Sequence, residues 1–431
     1  QIAAKGKGIG GKIFCILICI ILGVGSFYIG KVNNAFQKIT GSNKKTSSMV
    51  VAVKADDNAD TLSAAAGYTF GVQYATGGDQ TKSAVKQIEK ELGQNITLQE
   101  YSNLGEEAQA LYDGEVDAII YNSAYSNIIK EQYSTFTKDT KVIYKHNIVV
   151  EIESDTSDES VTKPFAVYLS GIDTNGDITE QGRSDVNIVA VVNPTSHQVL
   201  LITTPRDYYV PIPGVSGGQD DKLTHAGIYG VDVSMQTLEA LYDTDIEFFG
   251  RVNFTSMTSV VDALGGLDVE SDLEFDTGWE AGAEIHVNEG MNHFDGISAL
   301  AFCRERQALP DGDNGRGVHQ QAVITAIIKK MMSPAMLRGA SDIIDSVSDG
   351  VDTNFTSSQI QSLIKTQLRT NAKWNIYSVA ADGTGGTDIC YSSGDEELYV
   401  TYPDENSVAE ISELIKKVKD GETIEGSVST E

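Results

Sequence analysis

Between Phe165 and Pro205 the chain carries three apolar runs of strand length: FAVYLSGI, NIVAVVN and VLLITTP. The last two are rich in β-branched residues and are separated by Asn-Pro-Thr-Ser, which predicts two buried strands joined by a turn. Upstream, YTFGVQYA, NITLQEYS, VDAIIYN and KVIYKHNIVVEI predict strands, and Thr81–Leu92, EEAQALYDGE and AYSNIIKEQY predict helices between them. Ala84, Val85, Ile88 and Leu92 share one side of the first of these helices. Strands alternating with helices predict a small α/β unit over residues 49–153. Downstream, Val231–Tyr242 and TSMTSVVDALGGL predict helices, the second stopped by Gly265-Gly266, and FFGRVNF predicts a strand. A helix beginning near Gly315 runs to Met332, with Val323, Ile324, Ile327, Ile328 and Met331 as its apolar stripe. Helices over Leu337–Val347, Ser357–Leu368 and Asn406–Lys419 follow, with strands WNIYSVA and ELYVTYP among them.

The connecting segments divide the chain further. Ile13–Gly30 is eighteen residues without a charge, preceded by Lys5, Lys7 and Lys12. That length reaches the lower bound for a membrane-spanning helix, and the basic flank places its N-terminal side in the cytoplasm. The expected organisation is a cytoplasmic stub and transmembrane helix (1–31), a polar juxtamembrane stalk (32–48) and the small α/β unit (49–153). An acidic Ser/Thr-rich linker (154–164), a larger unit (165–425) and an acidic tail expected to be disordered (426–431) follow. The fold class is therefore α/β, with an N-terminal single-pass anchor and everything beyond it outside the cytoplasmic membrane.

Charge changes the functional reading. Sixty-one Asp and Glu face 32 Lys and Arg, a net charge of −29, which excludes nucleic acid as a partner because polyphosphate binding needs a broad basic surface. It leaves room for a compact cationic pocket, since screening limits surface repulsion to about 8–10 Å. Two stretches concentrate the scarce cations. Around the two central strands stand Asp173, Arg183, Asp185, Arg206 and Asp207; AFCRERQALPDGDNGRGVHQQ adds Arg304, Arg306, Arg316 and Gln320. Arg183 and Asp185 share a face in an extended segment, and Arg316 and Gln320 share one on a helix. Guanidinium groups present planar paired donors suited to phosphate, and with a few carboxylates they point to a phosphate site bridged by a divalent cation.

Six ordered blocks carry a resemblance: GIDT, GRSDVNIVAVVNP, LITTPRDYYVPIPG, DKLTHAGIYG, FGRVNFTSMTSVVDALGGLDVE and GISALAFCRERQALPDGDNGRGVHQQAVITAI. Together they resemble the LytR–CpsA–Psr family of cell-envelope phosphotransferases, closely over residues 165–332. The resemblance implies that Asp173 and Asp185 hold Mg²⁺ or Mn²⁺ near a pyrophosphate. It also implies that Arg183, Arg206, Arg304, Arg306, Arg316 and Gln320 bind the phosphates. The implied reaction joins a polyprenyl-pyrophosphate-linked glycopolymer, teichoic acid or capsule, to a hydroxyl of peptidoglycan and releases polyprenyl phosphate. A larger catalytic unit with a central mixed sheet flanked by helices, and an apolar lipid tunnel beside that sheet, come with it. His319 departs from the family's usual Arg. The segment 49–153, GEVDAIIYN above all, loosely resembles one lobe of a periplasmic solute-binding protein.

Two carboxylates cannot fill a six-coordinate shell, so the ion would also use phosphate oxygens and water. Asp173, Asp185 and Asp313 remain alternative general bases. A hydrolase, with water as the acceptor, and a non-catalytic adaptor acting through residues 49–153 are the rival functions. Lys222 is expected to be solvated, and His225 and Arg251 to be structural. His286 and His293 lack a third zinc ligand. Cys303 and Cys390 pair only if the fold brings them together, and Cys15 and Cys19 sit within the apolar N-terminal segment.

Overall fold

The computed structural model describes residues 44–75, 77–151, 158–172, 178, 181–309, 313–331, 350–394, 396–424 and 428–429. The first sheet is built from β1 (Lys44–Lys54), β2 (Thr69–Gln73), β3 (Thr97–Tyr101), β4 (Ala118–Asn122) and β5 (Thr140–Glu151), in the order β3-β2-β4-β1-β5. Helices α1 (Gly78–Leu92) and α2 (Leu104–Asp113) cover it. Helix α1 buries Thr81, Ala84, Val85 and Ile88 at helical spacing, and Asn103 caps α2 by accepting from the Glu106 N–H. Residues 44–48, expected in the stalk, instead open β1. They pair antiparallel with 147–151, and Thr46, Ser47 and Ser48 are buried. Their polar composition hid a strand whose burial comes from its neighbours rather than from an apolar pattern.

The second sheet is larger and mixed. It comprises β6 (Phe165–Ile172), β7 (Ser184–Asn193), β8 (Gln198–Thr203), β9 (Phe248–Asn253), β10 (Val351–Thr353), β11 (Asn375–Ala380) and β12 (Val428–Ser429), in the order β10-β9-β6-β7-β8-β11-β12. β6–β9 and β8–β11 pair in parallel, and the other neighbours are antiparallel. Both faces are covered, which is why β7 and β8 read as continuous apolar runs. Val189, Val191, Leu200 and Ile202 enter one core with α3 (Leu223–Tyr229), α4 (Val231–Tyr242) and α9 (Glu405–Asp420). Ile188, Ala190, Val199 and Leu201 enter the other, with Leu363 of α8 (Ser357–Thr370) packed against it. The two strands are thus filled by ordinary core packing on each side.

A third layer stands over one end of this sheet. Helices α5 (Phe254–Ala263), α6 (Gly296–Arg304) and α7 (Asp313–Met331) pack with the strand pair Leu267–Ser271 and Gly290–Phe294. On α7, Val323 and Ala326 are buried, whereas Met331, assigned to the stripe, is 43% exposed. The tail expected to be disordered contributes β12, in which Val428 pairs with Ile376. Of the acidic linker, 158–161 form a helical turn that buries Val161 in the sheet core. Cys303 and Cys390 are buried and unbridged. Among the described residues no helix is long and apolar enough to cross a membrane. Ile13–Gly30, the helix at Leu337–Val347 and Asp173 lie outside the described residues.

The two sheets share a core. Val50, Leu111, Ile119 and Tyr125 from the first pack with Ile212, Ala226, Ile228 and Val233 from the second. Glu107, on α2, is buried here, and among the described residues its carboxyl oxygens make no hydrogen bond of ordinary geometry. Burial raises its pKa well above the usual Glu value of 4.5, against only a weaker pull from the Ile120 amide. The folded state therefore holds a proton that the unfolded chain releases, and stability falls as pH rises above about 4.5. Glu107→Gln should raise the unfolding temperature at neutral pH, with the gain vanishing near pH ~4; thermal unfolding at both values checks this.

Candidate functional site

The antiparallel β7–β8 pair sets Asp185 and Arg206 side by side. Ile188 is in register with Thr203, so the start of β7 meets the chain just beyond the end of β8. Arg206 Nη1 donates to Asp185 Oδ1 at 3.1 Å, and its Nε lies 3.4 Å from Asp207 Oδ2. Lys222 Nζ lies 3.5 Å from Asp207 Oδ1 with a side chain only 12% exposed, so it belongs to this network and is not solvated. Thr224 Oγ1 donates to Asp185 Oδ1 at 3.3 Å. The result is a partly buried chain of alternating charges, where screening by water is weak and geometry is held.

Helix α3 closes on this network through one glycine. A Cβ at Gly227 would lie 2.7 Å from the Gly182 carbonyl oxygen and 2.9 Å from the Ser184 nitrogen. Only glycine lets that helix touch the backbone that carries Arg183 and Asp185.

The third layer supplies the opposite wall. Arg304 ends α6, and the chain turns extended at Glu305, so Arg304 and Arg306 are exposed on either side of a buried Glu305. Oε1 of Glu305 accepts from the Arg306, Gln307 and Ala308 N–H groups at 2.7–2.9 Å, and Oε2 accepts from the Gly278 N–H at 2.7 Å. Burial pushes its pKa up, but these four donors outweigh that and hold it below the ordinary Glu value. Gly282, at φ +99°, brings its turn within 3.3 Å of Arg304 Nη1 when measured from an ideal Cβ. Any side chain there would crowd the guanidinium.

Asp185, Arg206, Arg304, Arg306 and Gln320 line one cleft of about 270 Å³, together with Glu305 and the turn around Gly278 and Ala281. Five of the eight residues expected at the site are thereby brought together. Arg183 is half-buried two residues from Asp185 and does not line the cleft. The backbone of Asp313 and Arg316 forms the first turn of α7, but their side chains, like Asp173, lie outside the described residues. Sequence reasoning missed Glu305, whose signal was present as the one acid between two arginines in Arg-Glu-Arg.

The other polar candidates are structural. His319 is buried between Phe302 and Phe275 rings at 3.9 and 5.3 Å, and burial lowers its pKa. It fills the core as a neutral aromatic ring. Arg251 pairs with Asp352 at 2.6 Å, both buried. Asp221, His225 and Ser392 meet in the interior, but the acid and the hydroxyl both contact the same ring atom, Nδ1, at 2.7 and 3.0 Å. A relay needs them on opposite nitrogens, so no activated nucleophile arises. His286 and His293 each bond an exposed aspartate.

The sequence model described as the LytR_cpsA_psr family matches residues 119–417. The chain belongs to that family. This LytR_cpsA_psr chain is 34% identical over 253 residues to the polyisoprenyl-teichoic acid–peptidoglycan teichoic acid transferase TagU of Bacillus cereus strain AH820, covering 58% of this chain and 77% of that one. It is 36% identical over 203 residues to the protein of the same name from Enterococcus faecalis, covering 47% and 65%. Among solved structures it is similar to the B. subtilis TagV crystal structure, with a TM-score of 0.51 and 25% identity over 61% of this chain and 99% of that one. The family match begins at Ile119, on β4, so it takes in the end of the first sheet.

Removing the Glu305 carboxylate strands four N–H groups beside the cleft. Glu305→Ala should cost on the order of 2–4 kcal/mol of stability, since the backbone beside Arg304 and Arg306 loses its fixed frame. The stability difference should be full above the ordinary Glu pKa of 4.5 and shrink as pH falls through the lowered native value. Denaturant unfolding across pH checks it.

Proposed function

We propose that this LytR_cpsA_psr protein transfers a polyprenyl-pyrophosphate-linked anionic glycopolymer, wall teichoic acid or capsular polysaccharide, to peptidoglycan and releases polyprenyl phosphate. The observation that carries the reading is convergence: Asp185 and Arg206 meet Arg304, Arg306 and Gln320 in a single cleft although about a hundred residues separate the two groups. In an acidic chain, three guanidinium groups around one concavity are a binding device for multiple negative charge.

The chemistry follows from that electrostatics. An acceptor hydroxyl oxygen forms a bond to the phosphorus of the sugar-bearing phosphate, and the bond from that phosphorus to the bridging oxygen breaks. Polyprenyl phosphate leaves with the electron pair, and the hydroxyl proton passes to a base. Charge grows on the departing phosphate, and Arg206, Arg304 and Arg306, which line the cleft, would neutralise it. Gln320 adds an uncharged donor. Asp185 keeps Arg206 oriented through Oδ1. Its Oδ2 accepts no hydrogen bond among the described residues, which is the chemistry a divalent cation needs from a ligand. Asp185, with Asp173, would hold Mg²⁺ or Mn²⁺. The ion, when bound, draws charge from the phosphate oxygens. The charge-free run Ile13–Gly30 supports a single-pass anchor in the cytoplasmic membrane, where a lipid-linked donor resides.

Purified protein with lipid-pyrophosphate glycan should release polyprenyl phosphate only when peptidoglycan is supplied; release that ignores the acceptor would make it a hydrolase. Arg304→Ala or Arg306→Ala should each lower the transfer rate by on the order of 10²–10³, and Asp185→Asn should do the same while raising the metal concentration required. Chelation by EDTA should abolish transfer, with recovery on adding Mg²⁺. Intact wall-polymer attachment in cells carrying Arg304→Ala would overturn the assignment.

A further inference from the structure

Trp279 is the most solvent-exposed large apolar side chain among the described residues, at 77% exposure. It lies in a turn whose other members, Gly278, Glu280 and Ala281, all line the phosphate cleft. Nothing loose holds it there. Gly278 N–H is fixed by the buried Glu305, Gly282 N–H bonds back to the Trp279 carbonyl at 3.1 Å, and Gln307 Nε2 donates to Glu280. The same carboxylate that fixes the backbone beside Arg304 and Arg306 thus also fixes the turn that carries the indole. An indole left in water forfeits the burial that makes tryptophan worth placing, and isolated on a rigid rim it offers a flat face to whatever continues out of the cleft.

What continues out of a cleft that grips a pyrophosphate is determined by chemistry. One substituent is an aliphatic chain; the other is a sugar, and the acceptor is a sugar hydroxyl. A pyranose ring presents an apolar face of C–H groups and an equatorial girdle of hydroxyls. The first suits an indole face, and the second suits a polar rim such as Glu280 and Gln307. We propose that Trp279 is a stacking platform for a pyranose ring, belonging to the donor or to the acceptor glycan, at the mouth of the cleft. The inference rests on the transferase reading for the identity of the sugar. Binding of a glycan to the indole can be measured without catalysis, so the two can fail separately.

The chain holds two tryptophans. Trp374 is half-buried and donates to Gln367 Oε1, which makes Trp374→Phe a mild change that leaves Trp279 as the sole indole reporter. The full-length Trp374→Phe protein in detergent is titrated with four probes. They are an N-acetylglucosamine oligosaccharide, a polyprenyl-pyrophosphate-linked disaccharide, sugar-free polyprenyl pyrophosphate, and anionic phospholipid vesicles. A blue shift with the free oligosaccharide places the acceptor on the ring; a shift with the lipid-linked disaccharide alone places the donor there. In either case Trp279→Ala should weaken binding of that sugar-bearing probe by about tenfold, Trp279→Phe should restore most of it, and affinity for sugar-free pyrophosphate should not change. A shift produced by sugar-free pyrophosphate or by vesicles, or no shift with either sugar, overturns the proposal. The vesicle result would instead make Trp279 a contact with the membrane surface.

Discussion

Arg206 cannot sit where it does without two carboxylates, and much of the site follows from that requirement. Its guanidinium lies between Asp185 at 3.1 Å and Asp207 at 3.4 Å, while Asp207 also holds Lys222 at 3.5 Å. A lone guanidinium at the end of a buried strand would bear an unmet desolvation cost; one with two acidic neighbours is held in place, and with Lys222 the four formal charges balance. The strand pairing makes this possible. Antiparallel register brings the start of β7 to the end of β8, so the pair forms from residues twenty-one apart in sequence without a specialised loop.

The opposite wall solves the same problem with backbone instead of side chains. Glu305 accepts four N–H groups and so fixes the segment bearing Arg306, the end of the helix bearing Arg304, and the turn bearing Trp279. Its charge also offsets part of the repulsion between the two arginines that flank it. Under the proposed transferase reading, a cleft whose two walls are fixed this way would need little reorganisation to receive a multiply charged group.

Sequence patterns revealed the elements that are apolar and regular, and missed those whose burial is inherited. Helix α4 was legible to the residue because Val231, Leu238 and Tyr242 recur on one face; β7 and β8 were legible because both faces are buried. Residues 44–48, at the start of β1, were not, since Lys-Lys-Thr-Ser-Ser becomes a strand only through β5. The site was legible as residue types, because arginines are rare here and clustered. Which arginines share a wall was not, because that depends on α6 ending at Arg304 and on a buried acid that reads in sequence like one more surface glutamate. His319 was legible only as a departure from the family's usual Arg; that it is an aromatic filler stacked on Phe302 was not.

The first sheet also bears on the site. Gln181, two residues before Arg183, is buried, and its Oε1 accepts from Ser47 Oγ of β1 and Asn122 Nδ2 of β4, each at 2.8 Å. The backbone that leads into Arg183 and Asp185 is therefore gripped on one side by the first sheet and on the other by Gly227 of α3. Tyr125 and Tyr229 pack with ring centres 5.8 Å apart across the same boundary, and Gln132 donates to the Ser393 carbonyl farther along it. The first sheet and its helices share a core with the second and grip the backbone that leads into Arg183 and Asp185, so cutting them away would remove one side of that grip and expose the shared core.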